Sequence, residues 1–184
     1  MTSPTSPPAP LTVSADQRRA ARLAAVQALY QVDVSTSPVN QVVAEFLRHR
    51  LTGPDAAEVG GRDSPPTVDR DFFAATVEGA ARAHDQLDAA LDLCIDKGWR
   101  MARLDRVLQA LLRAAAWELT ERDDIPQPVT IAEYVAIADS FFNGPEPALA
   151  NAVLDRLART LRASSPEATA ADEAAVAPKS EPHG

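Results

Sequence analysis

The sequence is poor in the residues that build covalently stabilised or metal-stabilised folds. Its 184 residues include a single cysteine, Cys94, and three histidines, His49, His84 and His183. One cysteine excludes an internal disulfide and any multi-cysteine zinc site, and the histidines lack the spacing of metal ligands. We therefore expect no metal and no cofactor. A cytoplasmic location is predicted, because nothing in the sequence requires an oxidising compartment.

Catalytic patterns are missing as well. The seven glycines are scattered and form no phosphate-binding loop, and the Glu-x-x-His pairs of a di-iron bundle do not occur. Cys94 lies in an apolar helical segment, where a free cysteine is usually a small buried hydrophobe and not a nucleophile. No catalytic residue is predicted, and the sequence does not favour an enzyme.

The chain also lacks long apolar runs. No stretch approaches the length that crosses a bilayer, and residues 1–13 have neither the charge nor the apolar core of a signal peptide. The compositions of residues 1–13 and 163–184 predict disordered tails. Residues 52–67 collect three prolines and three glycines, which predicts a mobile loop within a single domain over 14–162.

Alanine and leucine dominate a sequence with only 5% aromatic residues and few β-branched runs, so helices are expected throughout. Ser14 and Gln17 have capping-box spacing and predict a helix over about 15–34, with a stripe of Leu23, Val26, Tyr30 and Val34. The strongest stripe, over 104–119, predicts a central, buried helix. Further helices are predicted over 39–51 behind a Ser37 cap, over 131–142 and over 149–161. Residues 72–95 form either one helix or two broken near His84. The fold class is thus an all-α bundle of six or seven helices.

The net charge of -8 argues against a protein that coats nucleic acid by bulk electrostatic attraction. One basic cluster stands out against it. Arg18, Arg19 and Arg22 lie in the first turns of the first helix, where cations oppose the helix dipole. We expect their side chains on the exposed end of that helix. Residues alone leave two interpretations open: a solvated basic turn, or a site for an anionic ligand.

Four segments, in order over about residues 17–162, resemble the NusB family of transcription antitermination factors. The opening RRAARLAAVQALYQVDVS is similar to the family's arginine-rich helix, and RLDRVLQALLRAAAWELTERDDIP to its L-R-x-A-x-Y-E-L helix and D-x-P turn, with Trp117 in place of tyrosine. VTIAEYVAIADSFF and ANAVLDRLART are similar to the two segments that follow. No one motif is diagnostic, but four in register identify the family.

The resemblance implies two packed helical subbundles without catalytic residues. It further implies binding to the boxA element of ribosomal RNA leaders, jointly with the small-subunit ribosomal protein NusE, within the RNA polymerase antitermination complex. By motif match Arg18, Arg19 and Arg22 would contact RNA phosphates, and Arg106 resembles a position bordering the same RNA groove. An acidic bundle should also attract a basic ribosomal protein.

The sequence departs from the family pattern at several positions. Asp139 replaces a usual lysine, Leu149 replaces an aromatic residue that could stack on a base, and Ala152 replaces a glycine. Two alternative functions remain for the chain. It could be a helical RNA-targeting module that works with a ribosomal RNA methyltransferase, or a protein-only helical scaffold.

Overall fold

The computed structural model describes residues 13–35, 37–51, 68–96 and 99–164. These ranges contain seven α-helices: α1 Ala15–Val34, α2 Val39–Glu45, α3 Arg70–Arg82, α4 His84–Cys94, α5 Arg106–Glu121, α6 Gln127–Phe141 and α7 Glu146–Ala163. A π-helical turn, Phe46–Arg50, continues α2, and a 3-10 turn, Met101–Arg103, precedes α5. The all-α bundle is confirmed. The 52–67 loop and nearly all of both tails lie outside the described residues, although α7 extends to Ala163.

The start of α1 is fixed by the predicted capping box. The Ser14 hydroxyl accepts a hydrogen bond from the Gln17 amide at 3.2 Å, and the Gln17 side chain accepts one from the Ser14 amide at 2.7 Å. Two orphan amides of the first turn are thereby satisfied, which sets the helix boundary where the sequence predicts it. The second helix differs, because its N-cap is Pro38 with no side-chain hydrogen bond; the predicted Ser37 cap is wrong.

The buried face of α1 coincides only in part with the predicted stripe, because Val26 is buried and Leu23 packs against the core. Tyr30 and Val34 are exposed, whereas the residues with almost no exposure are mostly alanines: Ala20, Ala21, Ala24, Ala25 and Ala28, together with Val26 and Leu29. Small side chains let neighbouring helices approach closely, and α1 packs along both α3 and α5. The alanines, with Val26 and Leu29, therefore form the interior, and Tyr30 and Val34 lie outside it.

Helix α5 is the centre of the molecule, as predicted. It contacts α1, α3, α4, α6 and α7, and ten of its sixteen residues are buried. One subbundle consists of α1, α2 and α3, and the other of α4 to α7, with α5 packed against the first. The helix is interrupted at Ala83, between α3 and α4, so residues 70–94 form two helices and not one. None of the helices in the described ranges is long and apolar enough to cross a membrane.

Gly79 of α3 faces Trp117 of α5. A Cβ atom at this position would overlap the indole ring of Trp117, whose own side chain packs against the core. A glycine inside a helix otherwise costs about 1 kcal/mol relative to alanine. The lack of a side chain at Gly79 therefore makes room for the tryptophan.

We expect Gly79→Ala to lower the free energy of unfolding by about 1–3 kcal/mol, because overpacking outweighs the gain in helix propensity. Urea unfolding measures the change. The same substitution in a Trp117→Phe background should cost less, since the smaller ring leaves space. Equal or greater stability of Gly79→Ala in the native background would show that the indole moves aside freely.

Candidate nucleic-acid interface

The first turns of α1 meet the end of α5 and the start of α3, and four arginines come together there. We call Arg18, Arg19, Arg22 and Arg122 the arginine cluster. Three of them were predicted from the sequence, whereas Arg122, the residue that caps the end of α5, was not. The guanidinium carbons of Arg18, Arg22 and Arg122 lie 5.1, 5.3 and 5.1 Å from the centroid of the Phe72 ring, which holds them by cation–π attraction.

Arg22 is a buried member of this cluster. It is only 3% exposed and donates to both carboxylate oxygens of Glu118 on α5, with Nη2 to Oε1 at 2.6 Å and Nε to Oε2 at 3.0 Å. Thr130 of α6 donates to the same carboxylate at 2.9 Å. Burial opposes the charge of Arg22, but its hydrogen bonds with Glu118 more than compensate and raise its pKa. The expectation that all three arginines lie on the exposed surface is therefore wrong for Arg22.

Tyr134 of α6 lies beside this buried pair and is fully inaccessible to solvent. Burial, and then the charge of Glu118, raise the pKa of its hydroxyl well above the ordinary value, so the phenol stays protonated. Hydrogen bonds among Arg22, Glu118 and Thr130 join α1, α5 and α6 inside an otherwise apolar interior.

Arg19 is the exposed member at the helix surface. Its side chain is 60% exposed and forms a bidentate pair with Glu133 of α6, with Nε and Nη2 at 2.9 and 2.8 Å from the carboxylate oxygens. The hydrogen bond from Arg19 lowers the pKa of Glu133. The Glu133 side chain is only 18% exposed, but the Arg19 guanidinium remains open to solvent, where an anion can compete for it.

Arg18 and Arg122 converge on a single carboxylate. Arg122 donates to both oxygens of Asp124 at 2.8 and 2.9 Å, and Arg18 Nη1 lies 3.8 Å from Asp124 Oδ2. Arg18 also donates to Asp69, at 3.3 Å, which caps α3 through the Phe72 amide. The hydrogen bond from Arg122 lowers the pKa of Asp124 to about 2.

Every guanidinium of the arginine cluster thus has a carboxylate within ion-pair distance, namely Glu118, Glu133, Asp69 or Asp124. Four cations face four anions, so the cluster carries no net charge in the free protein. This arrangement differs from the bare basic turn that the sequence suggests. An anionic ligand must compete with the resident carboxylates for the exposed arginines.

Arg106 lies apart from the cluster. It begins α5 and donates to the Asp33 carbonyl at 3.4 Å, near the C-terminal end of α1. With a rise of 1.5 Å per residue, Asp33 is about 22 Å along the helix from Arg18. Of the four arginines proposed from the sequence, Arg18, Arg19 and Arg22 therefore lie at one end of α1. Arg106 lies near the other end.

A surface groove lies at the same end of α1 as Arg106. It has a volume of about 470 Å³ and is mainly apolar, with a lining of Val26, Gln27, Tyr30, Gln31, Val34, Arg50, Val107 and Phe141. Tyr30 and Phe141 are 39% and 40% exposed, so their rings offer faces on which a base can stack. Sequence periodicity assigned Tyr30 to the core and gave Phe141 no functional role.

Comparison with known proteins places the chain. The NusB family model matches residues 19–159. The transcription antitermination protein NusB of Rhodopseudomonas palustris is 45% identical over 149 residues, which cover 81% of this chain and 85% of the relative. T. maritima NusB has the same fold, with a TM-score of 0.61 and 27% identity, covering 77% of this chain and 90% of that one.

A further solved structure shares the fold alone, at 16% identity. It contains the antitermination factors NusB and NusE in complex with dsRNA, and the TM-score is 0.63 over 80% of this chain and 99% of the matched chain. The fold and the curated relatives define the class of helical transcription antitermination proteins. The chain belongs to the NusB family.

Arg22→Ala should lower the free energy of unfolding by about 3–5 kcal/mol, because it leaves the Glu118 carboxylate buried without its partner. The matched control is Arg19→Ala, which removes a guanidinium that is 60% exposed and should cost only about 0–1 kcal/mol. Urea unfolding followed by circular dichroism distinguishes the two. Similar losses for both variants would contradict a structural role specific to Arg22.

Acid should weaken the fold through Glu133 and Asp124, whose pKa values are depressed in the folded state. A depressed pKa stabilises the protein above the unfolded-state pKa, about 4, and the contribution is lost as pH falls toward the folded pKa. We expect unfolding free energy to decline between about pH 4.5 and 2. The Glu133→Gln/Asp124→Asn variant should show a flatter decline, and an identical pH profile would refute the assignment.

Proposed function

We propose that this chain is a transcription antitermination factor that binds boxA RNA of ribosomal RNA leaders together with NusE. It would act in the cytoplasm, within the RNA polymerase antitermination complex. The family relationship supports this function, as does the occurrence of the same fold in a complex of NusB and NusE with dsRNA. Residues 14–162 would form the functional domain, with the tails, residues 1–13 and 163–184, dispensable for RNA affinity.

The observation that carries the RNA assignment is the gathering of four guanidiniums at one end of α1 in a chain with net charge -8. An acidic protein repels a polyanion over most of its surface, so we expect RNA to bind where arginines are concentrated and can exchange their carboxylate partners for phosphates. The acidic remainder suits a basic ribosomal protein such as NusE, which would complete the RNA site by adding positive charge.

The structure supports a division of labour among the predicted site residues. Arg19 and Arg18 are accessible and would contact phosphates. Arg22 would act indirectly, because its guanidinium is occupied by Glu118 and holds α1 in register with α5. Arg106 would bind a phosphate beside the apolar groove, where Tyr30 and Phe141 would stack on bases. The departure at Leu149 removes one aromatic ring, and these two rings would serve instead.

Titration of labelled boxA RNA, with and without NusE, tests the proposal. Arg18→Ala/Arg19→Ala should weaken binding and lower the slope of log affinity against log salt by about 1.4, at about 0.7 per single-strand phosphate contact. The control Arg82→Ala/Arg159→Ala removes the same charge from exposed positions on α3 and α7. It should leave the slope nearly unchanged.

Two outcomes would contradict the proposal. If the native protein binds NusE but no RNA in either setting, the protein-only scaffold is favoured. If the Arg18/Arg19 variant and the control lose affinity equally, the RNA site lies elsewhere on the molecule. Circular dichroism of each variant verifies that the fold is retained.

A further inference from the structure

Arg18 and Arg122 hold a carboxylate in a position suited to an RNA phosphate. We propose that these two arginines form a phosphodiester-binding subsite and that Asp124 occupies it in the free protein as an internal competitor. Asp124 would thereby lower the affinity of the subsite for an RNA phosphate. This inference rests on the proposed RNA-binding function. It adds Arg122 as a phosphate-binding residue and Asp124 as the residue that controls access to the subsite.

The subsite is built before any ligand binds. Both guanidiniums lie 5.1 Å from the centroid of the buried Phe72 ring, so their positions are fixed by the same aromatic side chain. Arg122 presents Nε and Nη2 side by side to the two oxygens of Asp124, the fork that also fits two oxygens of a phosphate. Arg18 approaches the same carboxylate from α1.

Among the four carboxylates that face the arginine cluster, Asp124 is the one suited to leave. Glu118 is fully buried, Asp69 caps α3, and Glu133 belongs to the separate pair with Arg19. The Asp124 side chain is 55% exposed and lies in the turn between α5 and α6. It can rotate into water without breaking a helix cap or stranding a buried charge, and exposed ion pairs of this kind are weak.

The competition is between two anions at any physiological pH. Since its pKa is about 2, Asp124 remains ionised and keeps attracting both arginines. A phosphate that meets the subsite without other contacts to the protein must replace the carboxylate, which is also an anion. The exchange therefore gains little free energy. A bound RNA whose other contacts are already made supplies its phosphate at high local concentration and displaces the carboxylate. Asp124 should therefore weaken the binding of every RNA that fills the subsite, and boxA, whose phosphate is held there, should bear the full penalty.

The test compares Asp124→Asn with Asp123→Asn. Asp123 is the adjacent exposed residue and makes no ion pair within the described part of the chain. Its replacement by asparagine changes the net charge by the same amount as Asp124→Asn. Asparagine preserves the shape of the side chain, so folding should persist. Asp124→Asn should tighten binding to boxA in the presence of NusE roughly two- to fivefold, the worth of one exposed pair. An unrelated RNA of equal length, whose phosphate is not held at the subsite by other contacts, should gain less. Asp123→Asn should change either affinity by less than about 1.5-fold.

Arg122 provides the second arm. Arg122→Ala should weaken boxA binding, and in that background Asp124→Asn should give a smaller gain, because the fork that the carboxylate blocks is gone. Equal effects of Asp124→Asn and Asp123→Asn, or a full gain without Arg122, would overturn the inference while the native protein still binds boxA. Absence of boxA binding by the native protein would instead mean that the proposed function itself fails.

Discussion

The ion pair between Arg22 of α1 and Glu118 of α5 is the contact on which the arrangement of the other helices depends. Both side chains are buried, so neither charge can be solvated if the helices slide or rotate, and removal of one partner strands the other. Thr130 binds the same carboxylate from α6. A single carboxylate thus fixes three helices relative to one another, and it fixes the orientation of α1 on which the exposed arginines depend.

A second buried arginine holds the opposite end of α1. Arg113 of α5 pairs with Asp33 at the end of α1 and with Asp88 of α4, at 2.5 and 2.6 Å. Between the two polar contacts, the α1 interface consists largely of alanines, which specify position weakly because they are small and alike. Charged pairs at both ends supply the register that the alanine face lacks, at the cost of desolvating four or more ionised groups.

The helices could be predicted from the sequence better than the site could. Local rules fixed the start of α1 through Ser14 and Gln17, and the dense leucine pattern of α5 indicated its burial. Tyr30 and Arg22 were assigned to the wrong environments, because helical periodicity shows which residues share a face but not which face a neighbour covers. The partner of Arg22 is 96 residues away, and Phe72 and Asp124 likewise reach the cluster only through tertiary packing. Their roles have no local sequence pattern.

The contact between Gly79 and Trp117 has an optical consequence. The chain contains two tryptophans, and they occupy contrasting environments: Trp99 is exposed, whereas the indole of Trp117 lies between α3 and α5, where the two subbundles meet. Indole emission depends on solvent contact, so the blue-shifted part of the intrinsic fluorescence originates at this junction. The protein thus carries its own spectroscopic reporter of subbundle docking, one that needs no attached dye and that a Trp99→Phe background would isolate.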